Sequence, residues 1–193
     1  MFFYCITPPA RLLFTEVVNA LRAALSPSAR VVAHVTVRGP CTELASQKEH
    51  EKWDSIVRGK PISYGAAYGG VGTFYTGDNG VQNTVYLKVH APVLERVWHK
   101  PDYPVFMPHM SIYNGPSRQE AEAVEALLER YPLVCHTELP PVTVLIKGSL
   151  LREHAYPRVM ADATRYAKGT DLDLAEKILR AHHLRMRGES DIG

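Results

Sequence analysis

The sequence predicts an α+β protein of two similar lobes, each a mostly antiparallel sheet with helices outside, facing one central cleft. Two observations predict it. An order of strand, proline, helix, strand, Gly-Pro, helix, strand occurs twice along the chain. A hairpin signal, Gly77-Asp78-Asn79-Gly80, separates the copies. Two copies are too few for a solenoid and suit a pseudo-symmetric pair. The expected division is a bilobal unit over 1–150, with halves of about 1–76 and 81–150, and a helical extension over 151–193.

The elements follow in order. Phe2 to Thr7 is a short apolar strand ended by Pro8-Pro9. From Ala10 to Leu25, Leu12, Leu13, Val17, Val18, Leu21, Ala24 and Leu25 recur at helical spacing. Val31 to Val37 is β-branched and reads as a strand that Gly39-Pro40 breaks. Thr42 is placed to cap a helix running to about Val57. Ile62 to Thr76 and Val81 to His90 form the hairpin. Within it Thr84 to Val89 opens the second copy. A helix over Val93 to His99 follows, then a strand from Met107 to Tyr113 ended by Gly115-Pro116. Ser117 caps the next helix, through Tyr131, with Glu120 in capping-box position. Leu133 to Lys147 returns as strand, interrupted at Pro140-Pro141. In the extension, Asp171 to Arg187 is a helix with Leu172, Ala175, Ile178, Leu179 and Leu184 on its apolar face.

Composition narrows the class. The 193 residues are 46 % hydrophobic and 22 % charged, with formal charge +2. That is ordinary for a globular chain and too weakly basic for a protein that coats nucleic acid by charge alone. Cys5, Cys41 and Cys135 are odd in number and far apart, so reduced thiols are expected. The apolar opening is short and has no basic leader, and no apolar run has membrane-spanning length. A cytoplasmic protein with no membrane contact is expected.

The chemistry falls at the same step of each copy. His34-Val35-Thr36-Val37 precedes Gly39-Pro40, and His109-Met110-Ser111-Ile112 precedes Gly115-Pro116. In a strand, residues two apart share a face, which puts each His beside a hydroxyl. Two lobes meeting at a cleft then bring together two imidazoles and two hydroxyls. One neutral imidazole can take a proton and one protonated imidazole can give one, both near neutral pH. The hydroxyls can hold non-bridging phosphate oxygens. One His-x-Ser/Thr is a weak signal, since nine histidines give about one chance match. The weight lies in the equivalent placement of the two.

This pair of motifs resembles the paired His-x-Thr/Ser-x signature of the 2H phosphoesterase superfamily, which includes 2′-5′ RNA ligase-like proteins and cyclic phosphodiesterases. The resemblance covers about residues 1–150. It implies metal-independent chemistry without a cofactor on 2′,3′-cyclic phosphates, 2′-5′ linkages or related cyclic nucleotides. It implies His34 and His109 as the catalytic pair, Thr36 and Ser111 as phosphate-holding groups, and a nucleotide or short RNA as partner. Ligation by the same groups and a non-catalytic binding module are the alternatives. For opening a cyclic phosphate, His109 is the expected base.

Arg38 and Tyr113, two residues beyond Thr36 and Ser111, are candidates to hold a phosphate and to stack on a base. Tyr64, Tyr68, Phe74 and Tyr75 either line the groove or pack. His154 and His182-His183 lack partner ligands at metal spacing, so no metal site is expected. Cys41 has no base beside it in sequence and is not read as a nucleophile. Arg180, Arg185 and Arg187 leave the extension open to groove covering, dimerisation or RNA contact.

Overall fold

The structure is a computed structural model describing residues 2–26, 32–65, 69–75, 82–146 and 169–190. The turn Gly77-Gly80, Tyr68 and His154 lie outside them. The strands are β1 (Phe2–Ile6), β2 (Val35–Cys41), β3 (Pro61–Tyr64), β4 (Val71–Phe74), β5 (Asn83–His90), β6 (His109–Gly115), β7 (Cys135–Glu138) and β8 (Thr143–Ile146). The helices are α1 (Leu13–Leu25), α2 (Gln47–Val57), α3 (Arg118–Arg130) and α4 (Leu172–Ser190).

Among the described residues every strand pairing is antiparallel. One sheet has the order β2-β1-β8. In the other, β6 lies on one edge of β5, while β4 and then β3 share its opposite edge, and β7 pairs with β3. The Gly65 N–H donates to the Lys88 carbonyl, and the Lys88 N–H to the Gly70 carbonyl, so β3 and β4 form one interrupted edge. The far end of the chain completes both sheets: β7 pairs with β3, and β8 returns to β1. The span from Leu133 is accordingly two strands in different sheets, parted where Pro140 and Pro141 offer no N–H to a ladder.

The repeat extends to the backbone. On β1, Cys5 opposes Thr36 and Tyr4 opposes Arg38, so Val37 is an extra residue bulged out of β2. On β5, Tyr86 opposes Ser111 and Val85 opposes Tyr113, so Ile112 is the extra residue in β6. Each bulge lies three residues after the histidine and one after the hydroxyl.

Several boundaries differ from the sequence reading. Gly39-Pro40 does not break β2, which runs on to Cys41. A second irregularity sets Gly39 and Pro40 together against Phe3, and Gly39 sits at φ +110°, where a Cβ would lie 2.7 Å from the Phe2 carbonyl oxygen. α2 is capped by Ser46, not Thr42: Ser46 and Glu49 exchange the two bonds of a capping box, a signature present in the sequence. Val93–His99 forms only a 3-10 turn, Pro92–Arg96, with no side-chain cap and Pro101 ahead. Ser117 does cap α3, but the Glu120 carboxylate turns inward to the Tyr113 and Thr170 hydroxyls instead of closing the box.

One core joins both sheets. Tyr4, Ile6, Val35 and Val37 from the first pack with Ile62, Val85, Leu87, Met110 and Ile112 from the second. At roughly 1.5–3 kcal/mol for each large apolar side chain buried, this contact holds β2 and β6 near one another. α3 covers β4, β5 and β6, and α1 packs on β6 and α4. In α4, Ala175 and Leu179 are buried in the main core, and Leu174 and Ile178 pack on Ala20 and Ala23 of α1. Leu184, expected on the apolar face, is exposed: at helical spacing it points away from the side on which Ala175, Leu179 and His182 are buried.

Candidate active site

His34 stands immediately before β2, and His109 opens β6. The two rings are held alike. Nδ1 of His34 lies 2.7 Å from the Val32 carbonyl oxygen, and Nδ1 of His109 lies 2.9 Å from the Met107 carbonyl oxygen. A carbonyl only accepts, so Nδ1 carries the proton in each ring. Nε2 is then the nitrogen left for chemistry. Both contacts reach back two residues, so each strand entry fixes its own tautomer.

Thr36 and His109 line one cleft of about 340 Å³, together with Phe74, Trp98, Asp102 and Tyr103. A residue of each motif therefore reaches the same space. His34 and Ser111 are not among its lining, but His34 lies within electrostatic reach of His109. Thr36 and Ser111 are half-buried, while Val35, Val37, Met110 and Ile112 beside them are core, as strand alternation requires.

Burial lowers His34 to about 4; the Arg22 guanidinium and the charge of His109 add to this, opposed by the bond to Val32. Burial also lowers His109, opposed by the bond to Met107. Both shifts favour the neutral ring in the free protein.

Arg22 was not singled out from the sequence. Its guanidinium donates to the Ser111 carbonyl, and its field bears on His34, so one cation of α1 serves both motifs. Asn19, one turn earlier, accepts the Ala33 N–H at 2.8 Å, just before His34. The signal was present: beyond its first turn α1 is apolar except for Asn19 and Arg22, polar at i and i+3.

The surroundings of His109 are aromatic. Its ring centroid is 5.3 Å from Phe74, edge to face, and 4.9 Å from Tyr86, and those two stack at 4.5 Å. Gly72 makes this possible, since a Cβ there would lie 2.5 Å from the Tyr86 ring. On the far wall Asp102 accepts the Gly39 N–H at 2.7 Å and pairs with His99 at 2.8 Å. Burial pushes its carboxyl up, but these two partners and Arg38 outweigh burial and hold it low.

The remaining candidates separate. Arg38 stacks on Trp53, 4.3 Å from the ring centroid, beside the cleft and outside its lining. Tyr113 does not share the face of Ser111, because the Ile112 bulge shifts the alternation. It is 1 % exposed and its hydroxyl donates to Glu120 at 2.7 Å, so it offers no surface to a base. Of the aromatic set, Phe74 lines the cleft, Tyr64 is core, and Tyr75 turns to Glu125 and Arg118 of α3.

The three cysteines are free, and burial pushes the Cys5 thiol, which donates to Thr36, up to about 12. Among the described residues, no group of three or more His, Cys, Asp or Glu side chains is placed to hold a metal. Nor is any described helix long and apolar enough to cross a membrane. Comparison with protein-family models, curated proteins and solved structures gave no match.

Proposed function

We propose that this chain is a metal-independent phosphodiesterase of the two-histidine type, acting on 2′,3′-cyclic phosphate, 2′-5′ linked or related nucleotide substrates. The observation that carries it is the matched pair: two histidines with the same tautomer lock, the same following hydroxyl and the same bulge, at the entries of two strands that touch one another. We read the lobes as related by a pseudo-twofold axis through the cleft, the arrangement the 2H resemblance implies. The substrate class rests on that resemblance.

In the proposed reaction, Nε2 of one histidine takes a proton from the attacking water as the new P–O bond forms. The P–O bond to the ribose 2′ or 3′ oxygen breaks, and Nε2–H of the other histidine protonates that oxygen. Thr36 and Ser111 hold the non-bridging oxygens. The electrostatics favour His34 as base, reversing the assignment made from sequence. His34 carries both burial and the Arg22 charge, whereas His109 carries burial alone. The substrate's negative charge raises His109 toward its protonated, acid form. With a ribose hydroxyl in place of water, the same groups run the reaction backward as ligation.

The test is turnover, with EDTA present, of nucleoside 2′,3′-cyclic phosphates and of 2′-5′ and 3′-5′ oligonucleotides. Wild type, His34→Ala and His109→Ala are compared. Each variant should stay folded by NMR and lose about 10²–10⁴-fold in kcat. Turnover that survives in either variant refutes the mechanism. An inert wild type that still binds nucleotide makes the chain a binding module.

A further inference from the structure

A second cavity, of about 330 Å³, adjoins the cleft, with Tyr86 flanking His109 at the junction and Met107 common to both linings. Its other polar lining is Lys88, His90, Ser63 and Glu95. Strand register explains why these groups share one face. Lys88 is the cross-strand partner of His109, His90 lies two residues along β5, and Ser63 of β3 opposes His90. Ser63 in turn opposes His136 of β7, and their side chains meet at 2.8 Å. A line of one cation and three hydrogen-bonding groups thus leads from His109 across four strands. Lys88 and His90 are exposed at positions where their neighbours Leu87 and Val89 are buried.

We propose that this cavity is a second phosphate subsite, so that the substrate is an oligonucleotide rather than a mononucleotide. Resting on the function proposed above, the terminal 2′,3′-cyclic phosphate lies between the histidines. The adjoining internal phosphodiester lies against Lys88, within reach of Ser63 and His90, and the Phe74–Tyr86 pair flanks the nucleoside between them. Lys88 supplies the charge for one phosphate, and Glu95 at the cavity edge opposes a second charge there.

The experiment compares two probes by calorimetry: a nucleoside 2′,3′-cyclic phosphate, and the same nucleotide extended by one nucleotide on its 5′ side. Both are titrated into wild type, Lys88→Gln and Glu95→Gln at several salt concentrations, using His109→Ala as background to prevent turnover. Wild type on that background should bind the extended probe about tenfold more tightly, equal to about 1.4 kcal/mol. Lys88→Gln should remove that gain and reduce the salt slope by about 0.7, the value for one single-strand phosphate contact. Glu95→Gln should enlarge the gain, an opposite sign that a general loss of packing would not produce. Equal binding of the two probes overturns the subsite, as does a gain that survives Lys88→Gln. Failure of the functional reading is seen separately: the extended probe then binds in a Lys88-dependent way, while the protein with both histidines intact turns over neither probe.

Discussion

Replacing Arg22 by Met tests the assignment of His34 as base, and the structure fixes the sign of every effect. Arg22 donates a charge-assisted bond to the Ser111 carbonyl, and its charge helps hold His34 near 4. Losing the bond costs roughly 1.5–3 kcal/mol at any pH. Losing the charge lets the His34 pKa rise only part of the way toward 6.5, since burial, the larger cause, remains. In the wild type, the unfolded ring at 6.5 binds protons over a range where the folded ring, at about 4, does not. Stability therefore rises with pH across that window and is level above it. The full displacement corresponds to roughly 3 kcal/mol at about 1.4 kcal/mol per pH unit. His34 is partly exposed, and solvent screening reduces this to roughly 1–2 kcal/mol.

The Met variant should thus be less stable than wild type at pH 7, with a deficit that narrows toward pH 4. Urea denaturation at a series of pH values measures this. Activity gives an independent reading, because the limbs of kcat/KM report the free enzyme's base and acid. The wild-type optimum should fall on the acid side of neutrality, between about 4 and the lowered value of His109. In the Met variant the acid limb should move up and the alkaline limb should stay. NMR titration of the His34 ring assigns the limb directly. A His34 that titrates near 6.5 in wild type, or that does not move in the variant, refutes the reasoning.

Gly72→Ala introduces a Cβ 2.5 Å from the Tyr86 ring. Displacing that ring should cost about 1–3 kcal/mol and loosen the Phe74–Tyr86 flank of His109, raising KM; unchanged stability and KM would show that the aromatic flank is not required. Tyr113→Phe removes the donor to Glu120 at 2.7 Å. It should cost roughly 1–3 kcal/mol in thermal or chemical denaturation while KM stays constant, and a raised KM would return Tyr113 to the substrate.

Legibility followed the range of the signal. The helical face of α1, the Ser117 cap, the end of β6 at Gly115 and the start of α4 beside Asp171 are local and were readable. The pairing of β8 with β1, 138 residues apart at Thr143 and Cys5, has no local mark and was not. The bulges at Val37 and Ile112 were equally silent, since one extra residue changes no composition. That silence misplaced Tyr113, because alternation counted along β6 fails at Ile112. In the site, the His and hydroxyl positions came from spacing, whereas Arg22 acts through a contact spanning 89 residues. Only its polarity on an apolar helix marked it.

Like backbone settings account for what the two motifs share, and their unlike surroundings account for how they differ in role on the proposed mechanism. Strand entry, tautomer and bulge are common to His34 and His109, so backbone alone would make the rings equivalent. Two equivalent histidines leave undecided which takes a proton and which gives one, so a fixed division of roles needs a difference between them. The asymmetry comes from outside the motifs: a guanidinium from α1 beside His34, and two aromatic rings from β4 and β5 beside His109. A fixed cation opposes protonation of the first ring whatever is bound. An apolar flank opposes it only until an anion arrives, when the low dielectric strengthens the attraction between imidazolium and phosphate. On the proposed mechanism, substrate binding separates two similar rings into acid and base, the pattern by which neighbouring titratable groups acquire distinct roles.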